Sequence, residues 1–171
     1  MNTVEFDFED GNGPVPAHRH CNGGGWVADS ASVAATAYVG PEARVYGRAV
    51  VRDHASVDDH AIVCDQALVC DQVLVCDQAL VGDHAIVRGN AIVGGQALVR
   101  ENAIVCDQAI VGDHAIVCDQ AVVRDHAIVG DQALVCDQAI MRGRAVVGGD
   151  SQLSEWDIAG GNHPSIMGEN K

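Results

Sequence analysis

Five Asp-His-Ala triplets set His54, His60, His84, His114 and His126 each beside a carboxylate. An imidazole titrates near neutral pH and can serve as a general base, which makes His84, His114 and His126 the candidate catalytic residues. Other copies of the same triplet position hold Gln or Asn, as expected of a residue chosen for its tolerance of a turn. His18, His20 and Cys21 lie close enough in sequence to be candidate metal ligands. No fourth ligand is in view, and Gly23-Gly-Gly25 beside them reads as a mobile linker.

What positions the triplets is a repeat of six residues. Ala61-Ile-Val-Cys-Asp-Gln66, Ala67-Leu-Val-Cys-Asp-Gln72 and Ala79-Leu-Val-Gly-Asp-His84 are variants of one phrase. Counting in sixes from Val27 to Val147 gives 21 positions, of which 20 are Val and one is Met141. The position two residues earlier, from Ala31 to Ala145, is Ala at 19 of 20 places, with Val73 the exception. An uninterrupted period of six is the signature of a hexapeptide β-helix.

Within each hexad, Ala-(Ile/Leu)-Val forms a strand in which Ala and Val share one side. The opposite parity holds Arg52, Arg88, Arg100, Arg124 and Arg142, which cannot fill a narrow dry core unpaired. Ala and Val therefore face in. Asp-Gln, Asp-His, Gly-Asn or Gly-Gln then turn the corner; Gly, Asp, Asn and His accept the backbone angles needed there, and Gln accepts them less readily. Three hexads close one coil of 18 residues, and about seven coils stacked at roughly 4.8 Å give a prism roughly 35 Å long.

The coil sorts side chains into columns. Asp65, Asp83, Glu101, Asp119 and Asp137 become a stack of like charges, unfavourable unless screened, relieved by Arg88, Arg100 and Arg124, or bridged by a cation such as calcium. Cys118 and Cys136 become neighbours one coil apart, within reach of a disulfide. Gln66, Asn102, Gln120 and Gln138 form an amide ladder of the kind that stabilises stacked strands.

Val81-Gly-Asp-His-Ala-Ile86 and Val111-Gly-Asp-His-Ala-Ile116 resemble the hexapeptide-repeat family at every constrained position of its motif. Copies with Cys or Arg at the second place, such as Val69-Cys-Asp-Gln-Val-Leu74, depart from it. The resemblance covers about residues 26 to 149 and implies a left-handed parallel β-helix, a hand the periodicity alone does not supply. In the family's acyltransferases, a histidine acts as general base while acyl-coenzyme A lies along the helix between subunits. The chain shows neither the interrupting loop nor the C-terminal helical part common in those enzymes. The family also includes zinc-dependent carbonic anhydrases with three His ligands. Adding 18 to each corner His gives Gln72, Gln78, Asn102, Gln132 and Arg144, so a zinc site could form only across a subunit interface.

Net charge is −14 over 171 residues with a single Lys, which argues against a nucleic-acid partner held through phosphates. No apolar run approaches the length of a membrane span, and no secretory signal is read at the start. The cysteines read as surface variants of the repeat in a reducing cytoplasm. Three regions follow: an N-terminal strand and turn that caps the solenoid (1–25), the β-helix (26–149), and a C-terminal cap and tail (150–171) that folds over the last coil.

From Ile62 onward the outward middle positions are all aliphatic and sort into three stripes. These are Ile62, Leu80, Leu98, Ile116 and Leu134; Leu68, Ile86, Ile104, Val122 and Ile140; and Leu74, Ile92, Ile110, Ile128 and Val146. Contiguous apolar surface on this scale marks an interface. The reading is an all-β, non-catalytic structural or interaction solenoid, without a cofactor, that associates with itself through aliphatic sides or coil ends as a homo-oligomer or fibre. Its alternative is an acyl-CoA-dependent hexapeptide acyltransferase or an inactive relative.

Overall fold

The computed structural model describes residues 4–154 together with the strands Ile158–Ala159 and Ile166–Met167. From Trp26 onward every hexad supplies one short strand, and strands 18 residues apart pair in parallel, as in Ile62↔Leu80, Leu68↔Ile86 and Leu74↔Ile92. The result is an all-β parallel solenoid of about seven coils, with no helix among the described residues. Its three sheets hold ten, eight and eight strands. We call these the first face (the Ile62 column), the second face (the Leu68 column) and the third face (the Leu74 column).

The core follows the parity argument. Ala and Val columns from Ala37 to Val147 are almost wholly inaccessible, and Met141 takes one Val place at 0 % exposure. Each Val is at the centre of a side only six residues long, so nothing larger than Val recurs there. Burial of this narrow, repeated column is the main apolar term holding the coils together.

Corners are made by one residue, not two. From Gly47 onward the first corner residue has positive φ, between 52° and 66° at the Asp positions and 61° at Glu101, with Gly47, Gly89, Gly95, Gly143 and Gly149 elsewhere; the corners at Asp29, Ala35 and Pro41 turn without one. Gln never adopts a positive φ, which is why it is tolerated as the second corner residue. A non-Gly residue pays a steric cost in this region, and here the carboxylate offsets it. Asp65 Oδ2 accepts the backbone N–H of Asp83 at 3.2 Å, Asp83 Oδ2 that of Glu101 at 3.1 Å, and Asp119 Oδ2 that of Asp137 at 3.1 Å. Backbone bonds such as Gln66 N–H to Asp83 O (2.7 Å) continue the ladder through the corner.

At the N-terminal end, β1 (Val4–Phe6), β2 (Val15–Arg19) and β3 (Trp26–Ala28) form an antiparallel extension of the first face. Phe6 stacks on Trp26 with ring centroids 4.0 Å apart, and the Arg19 guanidinium lies over the same Trp26 ring, 4.2 Å from its centroid. The loop between β2 and β3 runs beneath the third face, where Asn22 O accepts Val39 N–H at 3.0 Å and Gly25 N–H donates to Val39 O at 2.9 Å. Gly23-Gly-Gly25 is thus a close-packed crossing and not a loose linker: a Cβ on Gly23 would sit 2.2 Å from the Val39 carbonyl oxygen.

At the other end the period is lost but the coil is not. Gln152–Leu153 pairs with Leu134–Val135, Ile158–Ala159 with Ile140–Met141, and Ile166–Met167 with Val147–Gly148. Over its described residues the segment adds a strand to each face instead of folding across the last coil, and the third pairing absorbs one extra residue.

The corner clamp predicts a specific order of stabilities at Asp113, whose φ is 53° and whose Oδ2 accepts Asp131 N–H at 3.1 Å. Asp113→Ala loses the acceptor and keeps the strained angle, costing about 1–2 kcal/mol, while Asp113→Gly relieves the strain and costs less than about 1 kcal/mol. Urea denaturation of the two variants checks the order; Ala as stable as Gly would contradict it.

Candidate functional site

The five corner histidines are exposed and spread over the three edges of the prism. His84 is on one edge, His60 and His114 on a second three coils apart, and His54 and His126 on the third four coils apart. Among the described residues none of these imidazoles is hydrogen-bonded to a side chain that would orient it as a base. His60 borders a hollow of about 460 Å³ with Glu42, Arg44, Ile62 and Gln78. The guanidinium there is already engaged: Arg44 Nη1 donates to Phe8 O at 3.1 Å and to Glu9 Oε2 at 2.7 Å.

The candidate metal ligands are separated by their partners. His18 Nδ1 is 2.7 Å from Asp29 Oδ1, the His20 ring nitrogen Nε2 bonds the Ala37 carbonyl at 3.1 Å, and Cys21 is exposed. The groups whose ligand atoms converge within 4.8 Å are instead Asp53, Cys70 and Asp71, and Asp59, Cys76 and Asp77. Both are fragments of the corner ladder, with Asp53 and Asp59 already accepting the backbone N–H groups of Asp71 and Asp77.

The acidic column is relieved mainly by the backbone. Asp65, Asp83, Glu101 and Asp119 each accept the N–H one coil above, so a carboxylate meets a donor before it meets its neighbour's charge. At Glu101 and Asp119 the relief is uneven. A hydrogen bond with the Asp119 side chain raises Glu101 above its ordinary 4.5, whereas the Asp137 N–H lowers Asp119 below its ordinary 3.8.

The cysteines are not surface variants. Cys64, Cys70, Cys106, Cys118 and Cys136 are buried, Cys76 is half-buried and all seven are free thiols. They have outward parity, but they sit where the strand bends into the corner, and the next carboxylate closes over the small thiol. Cys64 Sγ lies 3.1 Å from Asp65 Oδ2, and Cys106 and Cys118 lie 3.5 Å from Asp107 and Asp119. Desolvation, reinforced by the carboxylate, pushes Cys64 and Cys118 up to about 12 and Cys76 to about 11. Arg at the same position escapes by length, and Arg88, Arg100, Arg124 and Arg142 are exposed.

All three stripes are partly exposed: those of the first and second faces, and Leu74 of the third, are half-buried, and Ile92, Ile110, Ile128 and Val146 on the third face are the more open, at 37–38 %. The position two residues on holds Cys or Arg on most coils of the other faces, with Gly82 the exception, but Gly94, Gly112, Gly130 and Gly148 on the third. Beside Ile110 that side is open at Gly112, whereas beside Ile92, Ile128 and Val146 only the carboxylates of Asp77, Asp113 and Asp131 from the coil below, with the Cys76 thiol, reach it. The sequence shows three equal stripes unless the glycines are sorted by the same 18-residue coil. No helix among the described residues is long and apolar enough to cross a membrane. Comparison with protein-family models, curated proteins and solved structures finds no match for this chain.

Two outcomes follow for the thiols. Unfolded cysteine loses its proton near 9 and folded Cys64 and Cys118 near 12, so their stabilising effect is complete below pH 9 and is lost as pH rises towards 12. At neutral pH, maleimide therefore modifies exposed Cys21 well before the buried thiols, as mass spectrometry would read. Under mild oxidation, the first link within the chain is Cys118 to Cys136, on adjacent coils; a Cys64–Cys70 link in the peptide map would contradict it.

Proposed function

We propose that this chain is a non-catalytic structural or interaction solenoid that associates with itself through its aliphatic outer sides or coil ends. The observation that carries the reading is the exposed aliphatic column of Ile92, Ile110, Ile128 and Val146 on the third face. A parallel solenoid pairs its backbone internally along its length, which leaves side chains and the two ends as its means of association. The dispersal of the histidines supports the same reading, since catalysis by a base needs an orienting partner and a bound acceptor within reach. The unbroken period of six and the coil of 18 support membership of the hexapeptide-repeat family and, through that resemblance, a left-handed winding.

Light scattering on a sizing column over a range of concentrations tests the proposal. Self-association is expected, and Ile110→Asp is expected to weaken it at least tenfold, whereas His84→Gln, His114→Gln and His126→Gln leave it unchanged. Coenzyme A binding, with acyl transfer abolished by one of the His replacements, would overturn the reading in favour of an acyltransferase.

A further inference from the structure

The third face differs from the other two in shape as well as exposure. Its outward surface is a ridge, Ile92 to Val146, beside a trough one glycine wide, Gly94 to Gly148. Successive outward positions on a strand are about 6.6 Å apart, so ridge and trough run side by side up the prism. On the first face the trough is filled by Cys64, Arg100, Cys118 and Cys136, and on the second by Cys70, Arg88, Cys106, Arg124 and Arg142. The trough is open at Gly112, where an added Cβ would meet nothing within 4 Å; at Gly94, Gly130 and Gly148 an added Cβ would lie 3.0, 3.1 and 2.6 Å from the carboxylates of Asp77, Asp113 and Asp131, which edge the trough there.

Resting on the self-association proposed above, we infer that the occupant of this face is a second copy of the same face, related by a two-fold axis parallel to the solenoid axis. That axis lies over the inward Val column, midway between ridge and trough, and seats each ridge in the partner's trough. Sheets packed face to face are about 10 Å apart, and a ridge entering a glycine column lets them interlock. The opposite arrangement, with the solenoids antiparallel, sets ridge on ridge and trough on trough.

The rims choose the same arrangement. One edge of the third face carries Gln72, Asn90, Gln108, His126 and Arg144 as its second corner residues, and the other carries Gln78, Gln96, His114, Gln132 and Asp150. With parallel solenoids these edges oppose each other at equal height. Amides and imidazoles then face one another up the rim until Arg144 meets Asp150 of the partner subunit, twice by symmetry. Both side chains are exposed and have no ion pair among the described residues. With antiparallel solenoids each edge opposes itself, and Arg144 meets no acid at that position in any register. A closed two-fold contact also fixes the height, because any sliding would open it into a fibre.

The area sets the strength. A side about 15 Å wide and about 30 Å tall offers about 450 Å² per protomer, or about 900 Å² in total, by strand and sheet spacings. That is at the low end for specific association, so the dimer is expected to dissociate on dilution through the micromolar range.

Analytical ultracentrifugation of the full chain, four single variants and one double variant decides it. The wild-type chain is expected to move between monomer and dimer with concentration. Gly112→Arg, which fills the trough with a side chain the other faces already carry there, is expected to raise the dissociation constant at least tenfold with unchanged circular dichroism. Cys118→Arg, the same substitution on the first face, is expected to leave it unchanged. Arg144→Asp and Asp150→Arg are each expected to raise it about threefold or more at low salt, and their combination to restore it. These two exposed rim positions read the interface even if Gly112→Arg fails to fold.

A chain that stays monomeric at every concentration overturns both this inference and the self-association beneath it. Association indifferent to Gly112→Arg leaves self-association standing and overturns the third-face dimer. A rim exchange that fails to restore association overturns the parallel arrangement.

Discussion

From Gly47 onward the coils depend on one left-handed residue per corner. A side of six residues leaves little room for a gradual bend, and there the chain turns through a single positive φ before it resumes the next strand. Glycine does this freely, but a rod cornered only by glycine would lose more entropy on folding. Aspartate accepts the angle and returns something for it, because its carboxylate reaches the backbone N–H of the corner one coil above. The bond that offsets the strain is therefore also a bond between coils. Corner geometry and longitudinal cohesion are one interaction, repeated up each edge and interrupted where Gly89 and Gly95 stand in place of an acid.

The acidity of the molecule follows from this. A net charge of −14 is what a chain acquires when most of its corners are carboxylates. Like charges at coil spacing repel, yet Asp65, Asp83 and Asp119 each have a backbone donor, and at Glu101 and Asp119 hydrogen bonding shifts the two proton affinities in opposite directions. Glutamate is one methylene longer, and the side-chain contact with Asp119 occurs there. The same carboxylates close over the cysteines, so the corner chemistry also sets how reactive the thiols are.

Much of this was legible from residues alone. Arg52, Arg88, Arg100, Arg124 and Arg142 decide which parity faces water, and with parity known, the Ala and Val columns, the corner positions and the three aliphatic columns follow. What escaped the sequence depends on neighbours a coil away. Cys64 has the same parity as Arg100, and only the covering carboxylate of Asp65 makes it buried. Gly23-Gly-Gly25 resembles a linker until the Val39 carbonyl is seen against it. Gln152, Ile158 and Ile166 keep the pairing after the side-chain period has gone, because strands pair through backbone groups that carry no residue signature. The corner histidines were the reverse case: conspicuous in sequence, and scattered by the coil.

The repeat carries a record of its own constraint. Residues 91–108, 109–126 and 127–144 are three versions of one 18-residue coil, and copying alone would let all positions drift alike. They have not drifted alike. The fourth position of the hexad is Arg100, Cys118 and Cys136 on the first face and Cys106, Arg124 and Arg142 on the second, and the corners exchange Gly95, Asp113 and Asp131. On the third face the same versions keep Ile92, Ile110 and Ile128 beside Gly94, Gly112 and Gly130 without change. Backbone strain does not require those glycines, because none of the three has a positive φ. Packing within the chain does not require Gly112 either, since a side chain there would enter open space. At Gly94 and Gly130 the Asp77 and Asp113 carboxylates of the coil below take up the space a side chain would need, so those glycines have an internal reason, and only Gly112 is left for the proposed contact with a neighbouring molecule to explain.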